Sequence, residues 1–315
     1  MYERWFFRNK MFKHICEPQK YIDGVKHDEH QYINVLGQIM SEGSLEKGRN
    51  GFTYSTFGVG MHFDLSDSKI PLFTSKKLAW KTCLKELLWF ISGSTNNEDL
   101  VKENVKIWNE NSSREFLDSR GLYSRPEGDL GPVYGHQLRH FNASYTSCNE
   151  SYKGKGVDQL QYVIDTLLNP ETRTSRRMVI SMWNPEQLHE MALPPCHLLC
   201  QFNVTKENLL SCSLTQRSGD MGLGVPFNIA SYSFLTHLVA HHCGLIPHEF
   251  AYFLGNAHVY EEHILPLKVQ IKNTCFPFPT LTISQKRDDI GKYTWKDFEI
   301  NGYQSHQGIK MDMIP

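Results

Sequence analysis

The segment around Cys196 contains the residue types of a covalent catalyst. Cys196 follows Pro194 and Pro195, two conformationally rigid residues, and precedes His197. A thiolate attacks activated carbon, including the β-carbon of a conjugated carbonyl, but an ordinary thiol has a pKa of about 8.5 and is little ionised at neutral pH. A nucleophilic Cys196 therefore requires positive charge nearby. Without it, the residue is better explained as part of the core.

A second segment, residues 216–228, contains groups that bind a phosphorylated substrate. Arg217 lies beside Ser218, and arginine is the preferred ligand of phosphate because its planar fork donates two parallel hydrogen bonds. Asn228 can offer one donor and one acceptor to the edge of a pyrimidine, or it can simply cap the helix that it precedes. Together the two segments predict a nucleophile beside a site for a phosphorylated base.

Glu86 is the candidate general acid or base. It is followed by Leu87, Leu88 and Trp89 in a strongly apolar helical run. Apolar surroundings raise the pKa of a carboxyl group toward neutrality, where proton transfer is most effective. The alternative is that Glu86 is an exposed residue of an amphipathic helix.

Other charged and aromatic groups are weaker candidates for the same site. Arg176 and Arg177 form a cationic pair just before a predicted strand, and Arg49 lies in a glycine-containing loop. Each of these arginines alone is typical of a solvated surface charge. His258 and Tyr260 alternate as at the end of a strand, so both side chains can enter one cleft or pack half-buried.

Length and composition exclude several classes of protein. A chain of 315 residues with a net charge of -1 can bury a large core and lacks the basic stripe that binding to duplex nucleic acid requires. Its eight cysteines contain no C-x-x-C pair, so we expect reduced thiols and no metal. His241, His242 and Cys243 are interpreted as packing residues. No stretch approaches the ~18 apolar residues of a membrane span.

Hydrophobic periodicity places these groups on alternating helices and strands. Helices are predicted at residues 30–41, 78–91, 157–168, 228–243 and 260–271, and strands at 53–65, 178–183, 197–205, 209–217 and 250–254. The mixture predicts one α/β (α+β) domain, a large mixed sheet flanked by helices. We divide the chain into an N-terminal extension, residues 1–29, which serves as a linker, an arm or an address, and a catalytic domain, residues 30–315.

In the order of its motifs, the chain resembles the thymidylate synthase family from about residue 31 to its end. The motifs are KELLWFISGSTN, VKIWNENSSREFLDSRG, EGDLGPVYGHQLRHF, SRRMVISMWNP, MALPPCHLLCQF, LSCSLTQRSGDMGLGVPFNIASY, GNAHVYEEHILPLK and GIKMDM. The resemblance implies reductive methylation of dUMP to dTMP, with 5,10-methylenetetrahydrofolate donating the carbon and the hydride. It also implies an obligate homodimer whose sheets pack back to back.

The resemblance assigns the catalytic roles. Cys196 would attack C6 of the uracil, and Glu86 would relay protons around the pyrimidine O4 and the folate N5. Tyr134 and His197 would support the ordered water near C5 and the thiolate. Asp220 would contact the folate pterin and orient the edge of the base. Asn228 would read the uracil N3–H and O4; cytosine-using relatives usually carry aspartate there.

Binding roles follow from the same resemblance. The dUMP phosphate would be held by Arg49, Arg217 and Ser218, together with Arg176 and Arg177 of the partner subunit. Gln216 is counted with these dUMP-binding residues, and His258 with Tyr260 would bind the deoxyribose 3'-hydroxyl. The folate pocket would be lined by Ile107, Trp108, Asp220, Leu223, Gly224 and Phe227. We expect a cytoplasmic enzyme, with nuclear or mitochondrial pools left open. Neither membrane nor DNA is expected as a partner, and binding of its own messenger RNA is expected only by analogy.

Several positions depart from the family pattern. The arginine loop reads Gly48-Arg49-Asn50-Gly51-Phe52-Thr53, and His136, Leu138, Asn109, Asn111 and Thr215 replace other residue types. The chain ends in Met313-Ile314-Pro315 rather than in small apolar residues. Two alternatives therefore stay open at this stage: hydroxymethylation of dUMP or dCMP, in which water captures the intermediate, and a binding protein that has lost catalysis.

Overall fold

The computed structural model describes residues 27–48 and 51–314. The N-terminal extension, apart from its last residues, lies outside this range, so its role stays a prediction. In chain order the main elements are α1 (Glu29–Glu42), β1 (Ser44–Gly48), β2 (Gly51–Asp64), α2 (Trp80–Ser92), α3 (Asn97–Lys102), α4 (Arg114–Ser119), α5 (Tyr134–His140), α6 (Gln159–Leu168), β3 (Val179–Ser181), β4 (His197–Val204), β5 (Leu209–Asp220), α7 (Gly224–Cys243), β6 (Ile246–Tyr260), α8 (Ile264–Gln270), β7 (Thr280–Ile283) and β8 (Phe298–Asn301). The residues after β8, 302–314, are called the C-terminal tail below.

The strands form one six-stranded mixed sheet in the order β1-β2-β6-β5-β4-β3, and β7 with β8 forms a separate antiparallel pair. Among these described strands, only β5 and β6 run parallel. The helix that connects them, α7, is buried along most of its length, which explains its apolar character on all sides. Each fully buried leucine or phenylalanine of this core contributes on the order of 1.5–3 kcal/mol. The predicted fold class, a single α/β domain with a large mixed sheet, is confirmed.

Within residues 27–48 and 51–314, helices cover one face of the sheet and no element covers the other. Along β5, Leu210, Cys212 and Leu214 are buried against the helices, whereas the alternate residues are half-exposed. Successive strand pairs place Leu199, Thr215, Phe253 and Gly60 in one row across the open face. We call this row and its neighbours on the same side the outer face. Phe253 is 43% exposed there.

Three predicted boundaries are wrong. Helix α7 begins at Gly224, so Asn228 lies inside the helix and does not cap it. Strand β6 runs from Ile246 to Tyr260, far beyond the predicted 250–254, because its polar half still pairs with β2 and β5. Tyr260 therefore ends a strand, and α8 begins only at Ile264.

No disulfide joins the seven cysteines of residues 27–48 and 51–314, and Cys243 with His242 is buried against the core as expected. Among residues 27–48 and 51–314, no helix has the length and apolar character that crossing a bilayer would require.

Candidate active site

The candidate site lies where β4 begins and where β5 and β6 end. Cys196 immediately precedes β4, and its carbonyl oxygen accepts a hydrogen bond from the backbone N–H of Arg217 on β5 at 2.9 Å. The backbone N–H of Cys196 donates to the phenol oxygen of Tyr134, also at 2.9 Å. The thiol-bearing residue is therefore fixed from both sides through its main chain, while its side chain is only half-buried.

Arg217 provides the positive charge that a nucleophilic thiol requires. Its Nε donates to the carbonyl oxygen of Pro195 at 2.9 Å and one terminal nitrogen donates to that of Pro194 at 3.1 Å. The guanidinium also lies over the ring of Trp183, 6.0 Å from the ring centroid. The two prolines thus have a specific use, since their carbonyl oxygens hold the cation beside the residue that follows them. An arginine remains charged at any pH that the protein encounters.

A glycine allows β6 to approach β5 closely at this point. A Cβ atom on Gly255 would lie 2.6 Å from the carbonyl oxygen of Arg217. Real Cβ atoms do not come so near to a backbone oxygen, so any other residue here would push apart the two strands that carry the site. The same pairing sets Ser218 opposite Asn256 and Asp220 opposite His258.

The aromatic rings of Tyr134 and His197 pack against each other next to Cys196. Their ring centroids are 5.1 Å apart, and the ring of His197 also contacts that of Tyr232 at 5.2 Å. Burial lowers the pKa of His197 to about 3 and raises the pKa of Tyr134 well above its ordinary value. His197 is therefore neutral near pH 7 and cannot serve as the cation for a thiolate. The two residues do lie together as predicted; their support of ordered water stays a prediction.

Glu86 lies on α2, in the apolar setting that the sequence predicts. Its Oε1 accepts a hydrogen bond of 2.7 Å from the indole N–H of Trp108. Burial raises the pKa of Glu86 to about 7, although the bond from Trp108 partly opposes the shift. Near neutral pH this carboxyl group can both give and take a proton, as a general acid–base requires.

Gln216 links Asn228, the residue predicted to recognise the pyrimidine, to the sheet. Its Nε2 donates to Asn228 Oδ1 at 3.0 Å and to the Ser218 carbonyl oxygen at 2.8 Å. The hydroxyl of Tyr252 donates to Gln216 Oε1 at 2.7 Å. Gln216 is buried, so its side chain orients Asn228 from within the core.

Asp220 lies at the end of β5, where the chain turns into α7. It accepts hydrogen bonds from the backbone N–H groups of Gly222 at 2.8 Å and Leu223 at 3.0 Å. Burial alone would raise the pKa of Asp220, but interaction with His263 and the bond from Gly222 hold the pKa below its usual value. A half-buried carboxylate anion is therefore maintained at the start of the helix.

The predicted sugar-binding pair occupies the end of β6. The ring centroids of His258 and Tyr260 are 5.3 Å apart. His258 Nδ1 lies 3.0 Å from Asn256 Oδ1 and 3.4 Å from the hydroxyl of Ser218. These side chains share the β5–β6 edge with Ser218 and Asp220.

The residues predicted to line a folate pocket lie on two segments near Glu86 and Asp220. Ile107 and Trp108 precede α4, and the Trp108 ring lies 5.9 Å from that of Tyr134. Leu223 precedes α7, and Gly224 and Phe227 lie in its first turn. Ile107 and Phe227 pack on the core with part of their surface exposed. Trp108 bonds to Glu86 and Leu223 bonds to Asp220, so each segment places apolar surface beside a carboxyl group.

The remaining predicted phosphate ligands are Arg49, Arg176 and Arg177. Arg49 lies outside the described residues. Arg176 and Arg177 are exposed just before β3, the edge strand of the sheet. Gln201 donates to the backbone oxygen of Arg176 at 3.4 Å, so the loop itself is attached to β4.

Most departures from the family pattern lie away from the cleft. His136 is fully buried among Tyr145 and Tyr152, and Leu138 is in the core. Thr215 belongs to the outer face, because its neighbours Leu214 and Gln216 are the buried residues of β5. Its replacement of tyrosine therefore changes the back of the sheet and leaves the cleft unaltered.

The remaining departures lie in loops and at the chain end. Asn109 Oδ1 accepts a hydrogen bond of 3.0 Å from Asn97, and Asn111 is buried. In the C-terminal tail, Met311 packs on the core and the Asp312 carbonyl oxygen lies 2.8 Å from His263 Nε2. Pro315 lies outside the described residues.

The sequence patterns assign no role to two buried residues of this region. Lys76 donates from Nζ to the carbonyl oxygen of Gly222, and burial lowers its pKa to about 8. His263 lies between Asp220 and the C-terminal tail, with its Nδ1 3.8 Å from Asp220 Oδ1. Both residues have partners that are distant in sequence, and the motif GNAHVYEEHILPLK, which contains His263, does not indicate a contact with Asp220 or with the tail.

One cluster of metal-ligand types occurs away from the site. Single ligand atoms of His27, Glu29 and Cys275 lie within 4.8 Å of one another. The Glu29 carboxylate, however, already accepts hydrogen bonds from Thr74 and Ser75 at 2.7–2.8 Å. These bonds attach α1 to the loop before α2, so we interpret the cluster as a structural contact.

Comparison with known proteins identifies the family. A family model described as thymidylate synthase matches residues 30–315. The thymidylate synthase of Homo sapiens is 52% identical over 289 residues, 91% of each chain. That of Human herpesvirus 8 type P (isolate GK18) is 48% identical over 95% of this chain and 88% of its own. That of Equine herpesvirus 2 (strain 86/87) is 50% identical over 92% of this chain and 99% of its own. The chain belongs to the thymidylate synthase family.

Proposed function

We propose that this protein is a methyltransferase that converts dUMP to dTMP with 5,10-methylenetetrahydrofolate as cosubstrate. The observation that carries the proposal is the arrangement of Cys196 between Arg217 and Tyr134, beside the oriented carboxamide of Asn228. A nucleophile, a phosphate ligand and a side chain that can recognise the edge of a pyrimidine therefore lie together at one end of the sheet. The folate supplies one carbon and a hydride when it is bound.

The proposed chemistry begins with the thiolate of Cys196. Its sulfur bonds to C6 of the uracil, and the electron pair of the C5–C6 double bond moves toward C5 and O4, which makes C5 the nucleophile for the one-carbon unit. Covalent attachment divides one difficult carbon–carbon bond formation into easier steps. Arg217 stabilises the thiolate before attack and binds the phosphate, with Ser218 beside it.

Proton movement is assigned to Glu86. A carboxyl group with a pKa of about 7 exchanges protons efficiently near neutral pH. Its bond to Trp108 orients the carboxyl group and places a flat apolar ring beside it. Glu86 thus relays protons near O4 of the base and N5 of the folate, while the Trp108 ring excludes water.

Substrate choice is assigned to Asn228. Its Oδ1 accepts the N3–H of uracil and its Nδ2 donates to O4; cytosine presents the opposite pattern at both atoms. A mismatch leaves buried polar groups unpaired, which discriminates by several powers of ten. His258 and Tyr260 bind the 3'-hydroxyl of the sugar.

We also propose that the protein acts as a homodimer through the outer face. The exposed Phe253 and its neighbours Leu199 and Thr215 belong to a broad, mostly uncharged sheet surface that no described segment covers. A second copy packed there would bring its own Arg176 and Arg177 toward the phosphate. Binding of its own messenger RNA and a cytoplasmic location stay predictions from the resemblance.

The direct test is a spectrophotometric assay of dihydrofolate formation with dUMP and methylenetetrahydrofolate, followed by the mass of the nucleotide product. A methyl product supports the proposal. A hydroxymethyl product, heavier by one oxygen, would mean that water captures the intermediate instead of hydride. Incubation with 5-fluoro-dUMP and the folate must give a covalent adduct on Cys196; bound ligands without adduct or turnover would indicate a binding protein.

A further inference from the structure

His263 lies where the C-terminal tail meets the end of β5. Its side chain is only 2% exposed. One ring nitrogen, Nε2, lies 2.8 Å from the carbonyl oxygen of Asp312 in the tail. The other, Nδ1, lies 3.8 Å from Asp220 Oδ1 on the body of the protein. A single imidazole therefore faces two oxygen atoms from segments that are otherwise separate.

The chemistry of the two oxygens fixes the state of the ring. A carbonyl oxygen only accepts hydrogen bonds, so Nε2 must carry a proton. In a neutral ring, Nδ1 would then present a lone pair to the negative Asp220. Nδ1 is buried and makes no hydrogen bond with the described residues. A second proton on Nδ1 replaces the repulsion between this lone pair and the Asp220 carboxylate with an attraction between opposite charges.

We propose that His263 is a positioning residue that latches the C-terminal tail to Asp220, so that docking of the tail and orientation of this carboxylate occur together. The inference rests on the proposed function, in which Asp220 contacts the folate. When the tail leaves, the ring loses one of its two partners and Asp220 loses a cation.

The packing around Gly222 shows how closely these groups are assembled. A Cβ atom added to Gly222 would lie 2.9 Å from His263 Nδ1, 3.2 Å from Asp220 Oδ1 and 3.4 Å from the sulfur of Met311. Glycine is therefore required if the imidazole, the carboxylate and the tail are to meet. The Gly222 backbone itself is fixed at both ends, because its N–H donates to Asp220 and its oxygen accepts from Lys76.

The surrounding charges favour the protonated ring. Burial alone would lower the pKa of His263, but Asp220 and the Asp312 carbonyl raise it above the usual value, with a smaller effect of Glu262. The ring of Tyr260 packs 5.7 Å away. Facing Asp220 from other elements are Lys76, His258 and the hydroxyl of Tyr32. A histidine whose pKa is raised on docking stabilises the docked form below its free pKa, and this stabilisation is lost as pH rises through the raised value.

Trypsin cleavage after Lys310 measures tail docking directly. Lys310 is exposed in the C-terminal tail, and cleavage there removes residues 311–315, a loss that mass spectrometry resolves. Without ligands, we expect His263→Ala to be cleaved about tenfold faster than the unmodified protein, because a charge-assisted contact no longer opposes local opening. His263→Gln keeps a donor near Asp312 but no charge and should be intermediate. Glu262→Gln removes only the smaller charge effect on the ring, so its cleavage rate should stay close to that of the unmodified protein and well below that of His263→Ala.

The pH dependence separates a latch from a merely structural histidine. Relative to cleavage of an unstructured lysine peptide, cleavage after Lys310 should accelerate as pH rises from 6.5 to 9 (about the range over which a raised histidine pKa is titrated). The His263→Gln protein should show no such rise. In turnover, the two His263 variants should raise KM for methylenetetrahydrofolate and lower kcat, with KM for dUMP unchanged.

Two results would overturn the latch. One is a cleavage rate at Lys310 that is the same in all variants and at all pH values. The other is a kinetic defect confined to dUMP. Because the unmodified protein gives the pH profile, a variant that fails to fold leaves the test intact. Cleavage needs no substrate, so an inactive enzyme would refute the proposed function while the latch is still decided.

Discussion

The side chain of Gln216 holds the carboxamide of Asn228 in one orientation. The hydroxyl of Tyr252 donates to Gln216 Oε1 at 2.7 Å, which leaves Gln216 Nε2 as the donor to Asn228 Oδ1 at 3.0 Å. An isolated asparagine could rotate by half a turn and exchange its donor with its acceptor. Here the exchange would set two N–H groups against each other, so the choice of pyrimidine is determined inside the core.

Gln216→Glu should narrow the preference for dUMP over dCMP. The introduced carboxylate only accepts, so Asn228 would turn its Nδ2 toward residue 216 and present the reversed pattern to the base. We expect the ratio of the two dissociation constants to fall by about ten- to a hundredfold, since one or two buried hydrogen bonds change sign. Isothermal titration with each nucleotide measures the ratio.

Tyr252→Phe is the matched control for this prediction. It removes the hydroxyl that orients Gln216 but leaves both amides in place, so the ratio should change in the same direction and by less. If Gln216→Glu weakens both nucleotides equally, Gln216 only supports the fold and does not orient Asn228.

Cys196→Ala should abolish turnover without abolishing nucleotide binding. Arg217 is held by the carbonyl oxygens of Pro194 and Pro195 and by the Cys196 backbone, none of which the substitution removes. The phosphate site therefore survives the loss of the thiol. With dUMP at a hundredfold excess over Kd, thermal unfolding should show about 2.7 kcal/mol of stabilisation. A variant that unfolds at the same temperature with and without dUMP would show that the sulfur is needed for binding itself.

The helices and the central hairpin are predictable from local patterns. Periodic apolar residues mark α1, α2 and α6, and the turn at residues 206–208 separates two strands that alternate strictly. The short helices α3, α4 and α5 carry no such pattern. They contain few turns, so they depend on tertiary contacts and, in α3 and α4, on local caps, since Asn96 and Ser113 accept hydrogen bonds from backbone N–H groups of the first turn.

The site is predictable where its residues are clustered in sequence and not where they are distant. Cys196, Arg217 and Asn228 occur in two adjacent motifs, so their types alone suggest the chemistry. The coupling of His263 to the tail depends on residues 49 positions apart, and that of Lys76 to Gly222 on residues 146 apart. Only the folded sheet brings these pairs together, and the sequence contains no period or motif that reports such contacts.

Trp108→Phe should move the pH dependence of turnover. The indole N–H stabilises the ionised form of Glu86, so its removal should raise the pKa of this carboxyl further above about 7. In a plot of kcat against pH, the limb that reflects the ionisation of Glu86 should shift to higher pH. Phenylalanine keeps most of the ring, which separates the loss of the hydrogen bond from the loss of packing. An unshifted limb would mean that another group controls it.

Glu86→Gln should stabilise the fold while it removes activity. A carboxyl group whose folded pKa lies above its unfolded value binds protons more tightly when folded, so its ionisation lowers stability as pH rises from about 4.5 to about 7. The neutral amide avoids this cost, and unfolding at pH 8 should require on the order of 2 kcal/mol more than in the unmodified protein. At pH 4 the two proteins should unfold alike. Equal stability at both pH values would show that Glu86 is solvated.

Phe253→Lys should dissociate the proposed dimer and thereby abolish turnover. Phe253 lies in the middle of the outer face, paired with Thr215 on one side and Gly60 on the other, and is 43% exposed in a single chain. A second copy would bury a lysine from each chain near its twin, and unpaired buried charges cost several kcal/mol. Sedimentation should therefore show a monomer that lacks turnover. Leu265→Lys, at a position on α8 that is 75% exposed, is the control and should remain dimeric and active. A mixing experiment tests whether the site is shared. Cys196→Ala chains and chains that carry both Arg176→Ala and Arg177→Ala should each be inactive alone. When their subunits exchange, activity should return, because a mixed dimer has one site with an intact Cys196 and the intact arginines of its partner.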